Sequence, residues 1–161
     1  MKILIMSDSH GHWKKMAEII AREMPSVVFH LGDMISDAQK LSLACPKVAV
    51  EAVLGNCDGW NTKGDTERIL SYEGVRFFLT HGHGFQVKST LSVVARAGEQ
   101  ARADVTLYGH THKAHLERLP SGMWLVNPGT VGGIYELASY AVAEVENGSV
   151  SLEIKWLSNE V

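Results

Sequence analysis

The sequence predicts an α/β domain with a mixed sheet, and two patterns in it carry that prediction. Near the N-terminus, short apolar runs alternate with helical patterns in βαβαβ order, the arrangement that builds parallel strands. Near the C-terminus, two alternating segments flank Asn147-Gly148, a strong signal for an antiparallel hairpin. Two sheets packed together are an elaboration consistent with both. At 161 residues, 45% hydrophobic, the chain is read as one domain over 1–161, able to bury roughly 70% of its unfolded surface.

Residues 2–6 (KILIM) form an apolar run read as a buried strand. Trp13, Met16, Ile19 and Ile20 recur at helical spacing among Lys14, Lys15, Glu18 and Arg22, which predicts an amphipathic helix over 12–23 closed by Pro25. Residues 27–31 are a second strand, 36–44 a short helix stopped before Pro46, and 48–54 a third strand. Residues 59–64 read as loop. Residues 69–72 and 75–80 are strands joined by a turn at Glu73-Gly74. A helix is expected over 88–101, with Leu91, Val94 and Ala95 on one face and Gly98 as a weak spot. Strands follow at 104–108 and 123–126, then the alternating segments 140–146 and 150–156. Trp124 and Trp156 are expected in the core or at an interface.

Composition narrows the function. Fifteen basic residues against eighteen acidic ones give a net charge of −3 without a basic block. That argues against a stable nucleic-acid partner or an anionic membrane surface, though not against a nucleotide as small substrate. Cys45 and Cys57 stand alone, which fits a reducing compartment and excludes a Cys-rich zinc module. The run Ile3–Met6 turns polar too early for a signal peptide, so the expected location is cytoplasmic.

The chemistry lies where the strands end. After the first strand come Asp8 and His10; after the second, Gly32-Asp33; after the third, Gly55-Asn56-Cys57-Asp58. His81-Gly82-His83-Gly84 and Gly109-His110-Thr111-His112 follow two later strands. Taken singly, these are turn or cap residues. Taken together they suggest a shared metal site, because loops leaving the carboxyl ends of parallel strands converge on one crevice. Asp8-x-His10 and His110-x-His112 would each put two side chains on one side of extended backbone. His30 and His115 read as ordinary surface or core residues. Ligands of Asp, Asn and His type without thiolate favour Mn, Fe, Ni or Zn. Seven groups (Asp8, His10, Asp33, Asn56, His81, His110 and His112) exceed one tetrahedral site. They suit two ions bridged by a carboxylate, about 3.5–4 Å apart, a clamp for phosphoryl displacement. Two such ions outweigh the Asp8 and Asp33 carboxylates, so an anionic phosphate ester would be attracted despite the acidic chain.

In these motifs the sequence resembles the calcineurin-like metallophosphoesterase superfamily, and within it the small subgroup of YfcE-like phosphodiesterases. Asn127-Pro128-Gly129-Thr130, which alone reads as a turn, also resembles that subgroup. The resemblance implies two facing mixed β-sheets flanked by helices, a four-layer α/β/β/α sandwich. It implies one divalent ion, most often manganese, on Asp8, His10 and His112, and a second on Asn56, His81 and His110, with Asp33 bridging. The implied reaction is hydrolysis of a small phosphate ester, foremost a phosphodiester, by direct attack of a metal-bridging hydroxide. Members of the subgroup are often homodimers or tetramers.

One position departs from the superfamily pattern. The residue after Asn56, commonly a histidine serving the leaving group, is Cys57 here, and a thiol of pKa about 8.5 is a weak donor. The expectation is a preference for good leaving groups, or recruitment of His12 or His83 as proton donor. Asp58 is expected to orient a ligand histidine. A phosphomonoesterase or nucleotide phosphatase is the alternative enzyme. A scaffold like the retromer subunit of this fold is the non-enzymatic alternative, opposed by the presence of His10, His81, His110 and His112.

Overall fold

The computed structural model describes residues 1–158, so the expected domain limit at 161 lies outside the described residues. In chain order the elements begin β1 (Lys2–Met6), α1 (Trp13–Glu23), β2 (Val27–His30), α2 (Ile35–Ala44) and β3 (Ala49–Ala52). They continue with β4 (Glu67–Tyr72), β5 (Val75–Thr80), a 3-10 turn (His83–Phe85), α3 (Ser92–Gln100) and β6 (Val105–Leu107). The last four strands are β7 (His115–Arg118), β8 (Trp124–Asn127), β9 (Ser139–Glu146) and β10 (Ser149–Trp156). One sheet has the order β10-β9-β1-β2-β3 and the other β4-β5-β6-β8-β7. In each, three adjacent strands run parallel (β1, β2 and β3; β5, β6 and β8) and antiparallel strands complete the sheet.

Side-chain alternation explains the four layers. Ile3 and Ile5 of β1, Val27 and Phe29 of β2, Phe77 and Leu79 of β5, and Ala141 and Ala143 of β9 point between the sheets. There the Phe29 and Phe77 rings meet edge to face at 5.3 Å between centroids. Each such fully buried side chain contributes about 1.5–3 kcal/mol. The opposite faces of β1 and β2, carrying Leu4, Met6 and Val28, receive Met16, Ile19 and Ile20 of α1 and Leu41 of α2. On the outer face of the second sheet, Val94 of α3 packs with Tyr108 and Leu125. Helices thus cover both outer faces, giving the α/β/β/α sandwich.

Three expectations need correction. The helix expected over 88–101 starts only at Ser92: Gln86 adopts a left-handed φ of 56°, and the Thr90 hydroxyl accepts the Ser92 amide at 3.2 Å. Its Gly98 is no defect, because a Cβ there would strike the Thr106 hydroxyl on the sheet below. Strand β7 was not expected, since its sequence His-Leu-Glu-Arg is a mostly exposed edge without apolar alternation. Of the two tryptophans expected in the core or at an interface, Trp156 lies outside the chain's own core at 57% exposure. Trp124 is half-buried, with the Arg118 guanidinium 5.5 Å from its ring centre.

Both tight hairpins carry positive φ at their two turn residues, Glu73-Gly74 (49° and 79°) and Asn147-Gly148 (47° and 80°), as a type I′ turn requires. The turns belong to different sheets yet touch: the Gly148 amide donates to the Glu73 carbonyl at 2.7 Å. This clasp sits at the opposite end of β5 from its exit at Thr80.

Glu23 closes α1 where the helix dipole disfavours an acid. Tyr140 donates to it at 2.7 Å, Lys155 at 2.8 and 3.1 Å, and Lys2 at 3.4 Å. Burial would raise its pKa, but the hydrogen bonds from Lys155 and Tyr140 and the charge of Lys155 prevail and hold it down at about 2. A carboxyl whose pKa is depressed by folding stabilises the protein above its unfolded value, and loses that contribution as pH falls through its folded value. Glu23→Gln is expected to cost about 1–2 kcal/mol at neutral pH. Urea titrations of the two proteins will show that difference shrinking between pH 4.5 and about 2.

Candidate metal centre

Strands β1, β2 and β3 of one sheet and β5, β6 and β8 of the other release their loops at a common edge. The Asp8 amide donates to the Gly32 carbonyl at 3.1 Å, joining the loops after β1 and β2. The Gly109 amide donates to the His81 carbonyl at 2.9 Å, joining those after β5 and β6. Five residues singled out from the sequence hold left-handed backbone: Asp8 (55°), His10 (43°), Asp33 (61°), His110 (70°) and His112 (62°). Asp and His tolerate this region better than most residues, yet each instance costs of order 1–3 kcal/mol. Such a concentration in loops meeting at one point marks a site that the surrounding structure enforces. Two glycines allow the approach. A Cβ on Gly55 would collide with the Asp33 carboxylate, and one on Gly109 with the Ser7 hydroxyl and Asp8 Oδ2.

The side chains form two overlapping groups, Asp8 with His10 and His112, and Asp8 with Asp33 and His81, each with ligand atoms within 4.8 Å of one another. Asp8 Oδ1 lies 3.1 Å from His112 Nε2 and 3.8 Å from both His10 Nε2 and His81 Nε2. Asp33 Oδ2 lies 3.4 Å from His81 Nε2 and 4.0 Å from His10 Nε2. His110 joins through Nδ1, 3.2 Å from His81 Nε2. The outward atoms are tied back. Asp8 Oδ2 accepts the Ser7 hydroxyl at 2.6 Å and the His110 amide at 3.2 Å, and Asp33 Oδ1 accepts the Cys57 amide at 2.9 Å. His81 Nδ1 donates to the Leu31 carbonyl at 2.8 Å, which leaves its Nε2 as the ligand atom.

A cation fits this cluster on structural grounds. Asp8 Oδ1 and His10 Nε2 are buried atoms with no hydrogen-bond partner among the described residues. Orphaned polar atoms are costly and rare, and two of them in one cluster of carboxylates and imidazoles are what a cation would satisfy.

Protonation follows the same geometry. Burial opposes ionisation of Asp8, but the adjacent His112 and His81 imidazoles and the Ser7 hydroxyl outweigh it and lower the pKa. Burial opposes ionisation of Asp33 too, but His81 and the Cys57 amide hold it below the carboxylate range. His81 and His112 are raised: burial works against His81 but the two aspartates win, while for His112 the adjacent Asp8 carboxylate leads. His110 is lowered by burial and by the charges of His81 and Lys88.

Other expected residues sit differently. Asn56 is exposed, its Nδ2 directed to Cys57 Sγ at 3.7 Å, and it makes no contact with the clustered carboxylates. Cys57 is exposed, and burial of its surroundings with the Asp33 charge pushes its thiol up, so it stays protonated. Asp58 touches no histidine hydrogen-bond donor. Its oxygens instead accept the amides of Asp33 (3.0 Å), Gly55 (2.7 Å) and Ile35 (2.6 Å), because the turn at Gly55 folds it over the loop after β2. His12 and His83 are exposed at the rim. His12 Nδ1 donates to the Ser9 carbonyl at 3.0 Å, and His83 stacks 5.5 Å from His81.

Sequence reasoning missed a supporting layer. Buried Asp37 accepts the Ser9 hydroxyl and the Gly11 amide, both at 2.7 Å, bracing the Asp8–His12 loop from α2. His30, read as an ordinary residue, is fully buried and 2.9 Å from Ser9 Oγ. Asn127 donates to the Gly109 carbonyl at 3.2 Å and Thr130 to the Asp8 carbonyl at 2.9 Å, so the Asn127–Thr130 turn does border the site. Glu136 Oε2 stands 3.7 Å from His112 Nδ1. For Asn127–Thr130 the resemblance was the signal; for Asp37 and His30 only the Ser7 and Ser9 positions flanking Asp8 hinted at a polar layer.

Comparisons with known proteins agree with this geometry. Residues 1–148 match the calcineurin-like phosphoesterase superfamily domain. The chain is 34% identical over 173 aligned positions to "Probable metallophosphoesterase YsnB" of Bacillus subtilis (strain 168), covering 100% of this chain and 99% of that protein. It is 29% identical over 155 positions to "Phosphodiesterase YfcE" of Escherichia coli (strain K12), covering 81% and 79% respectively. The solved structure of Chaetomium thermophilum Vps29 superposes with a TM-score of 0.82 over 99% of this chain and 92% of that one; at 16% identity this is a likeness of fold.

Two outcomes follow. Asp58→Ala releases three amides that shape the Asp33 loop, and calorimetric titration is expected to show manganese affinity about 10–100-fold weaker. Because His81 and His112 hold protons more tightly than ordinary imidazoles, metal affinity will rise with pH across their titration. The same titrations in buffers of different ionisation enthalpy will register released protons.

Proposed function

Because the chain belongs to the calcineurin-like phosphoesterase superfamily, we propose that it is a phosphodiesterase working with two divalent cations, manganese foremost. Asp8, His10 and His112 would hold one ion and Asn56, His81 and His110 the other, with Asp33 shared between them. The observation carrying this reading is the pair of partnerless buried atoms, Asp8 Oδ1 and His10 Nε2, clustered with Oδ2 of Asp33 and Nε2 of His81. For Asn56 the reading requires its exposed amide to turn from Cys57 toward His81. The name of the Escherichia coli relative supports the diester over the monoester.

When bound, the ions supply a low-pKa water nucleophile and neutralise charge on the phosphoryl oxygens. The chain's own contribution is positioning. Ser7 and the His110 amide fix the far oxygen of Asp8, the Cys57 amide fixes that of Asp33, and the Leu31 carbonyl sets the His81 tautomer. Hydrolysis forms a bond from water oxygen to phosphorus, breaks the bond to the leaving alcohol, and delivers a proton to that alcohol. His12 and His83 stand at the rim, where they reach a leaving group, and Cys57 beside Asn56 carries a protonated thiol as a weaker donor. Aryl esters, whose leaving groups need little protonation, are therefore the better substrates.

Protein purified without chelator should carry close to two ions per chain and cleave bis(p-nitrophenyl) phosphate faster than p-nitrophenyl phosphate. Chelation should abolish the activity, and manganese should restore it better than magnesium. Asp8→Asn is expected to lower kcat about 10²–10³-fold, the scale of losing one direct electrostatic contact to the transition state. A faster monoester would make the chain a phosphomonoesterase. Failure to retain metal or cleave either ester would leave the fold serving as a scaffold.

A further inference from the structure

Beside the His110–His112 loop lies a second concavity, a cavity of about 630 Å³ with Thr111 on its wall. Its floor is apolar, made by buried Val87 and Tyr108 and by Leu91, while Lys88 and Lys113 are exposed at its margin. The lysine and arginine ion pairs among the described residues belong to Lys2, Arg68 and Lys155, which leaves Lys88 and Lys113 without a carboxylate partner. Two unpaired ammonium groups at one hollow run against the net charge of −3.

We propose that this cavity receives the alcohol half of the phosphodiester, and that Lys88 and Lys113 bind a second phosphate carried by that half. The inference rests on the phosphodiesterase reading and adds a substrate class to it: diesters whose leaving alcohol has a ring body and its own phosphate, as a nucleotide does. Three properties converge on this. The volume falls within the roughly 300–1,000 Å³ of small-molecule sites and far exceeds one phosphate. The floor of Tyr108, Leu91 and Val87 suits a ring. The lysines supply charge-assisted hydrogen bonds of the kind phosphates take. Thr111, standing between His110 and His112, is the step over which a diester bound at the centre would extend into the cavity.

Calorimetric binding of thymidine bisphosphate and thymidine monophosphate, with manganese present, tests the cavity without turnover. The wild-type chain is expected to favour the bisphosphate by about tenfold or more. The double variant Lys88→Gln/Lys113→Gln should lose that preference. Lys47→Gln, which changes an exposed lysine before β3 at the end away from the site, should keep it. Equal binding of both probes by the wild type, or a preference that survives in the double variant, overturns the proposal. If the preference holds and depends on the two lysines while no diester is cleaved, the phosphodiesterase reading falls and the anion cavity stands. Cleavage of diesters without the preference has the reverse meaning.

Discussion

Asp8 ties the two halves of the sandwich together at the site. Its amide is bound to the loop after β2, while its carbonyl accepts Thr130 and the Gly132 amide from the loop after β8 of the other sheet. One carboxylate oxygen takes Ser7 and the amide of His110, and the other is left without a hydrogen-bond partner. All of this occurs at a φ of 55°, a conformation an aspartate does not choose unaided. The backbone connections fix the residue, so the free oxygen can be aimed only one way.

The electrostatics follow from that fixed point. Asp8 and Asp33 are held ionised although burial disfavours it, because imidazoles and peptide N–H groups surround them. The same pairing raises His81 and His112, so the cluster keeps its own counter-charges and exchanges protons for cations. Beneath it, Asp37, Ser9 and His30 form a buried polar layer that α2 and β2 contribute to the loop after β1. Preorganisation here consists of hydrogen bonds to oxygens that do not face the site.

The strands were legible where apolar runs were dense, as in β1, β2 and β5, because a residue buried on either face leaves little room for polar side chains. Both hairpin turns were legible because only certain residues accept two successive left-handed positions. Strand β7 was hidden by its exposure, and the start of α3 by Gln86, whose left-handed backbone leaves no mark in hydrophobic periodicity. The clustered aspartates and histidines were readable because glycine and chemistry coincide at each strand end. Asp37 and His30 were not, since a buried polar residue on a helix or strand looks the same in sequence as a solvated one. Asp58 was read as a partner of histidine and proved a partner of backbone amides, a distinction that depends on how tightly the Gly55 turn closes.

The contact between the two hairpin turns, Gly148 to Glu73, has a mechanical meaning. The sheets are pinned together at one end and present Asp8 and Asp33 from one jaw, His81, His110 and His112 from the other. The molecule is built like a pair of tweezers, with the Phe29–Phe77 contact as the shim that sets the gap. Grip at the tips is then governed from the hinge and the filling, far from any residue that performs chemistry.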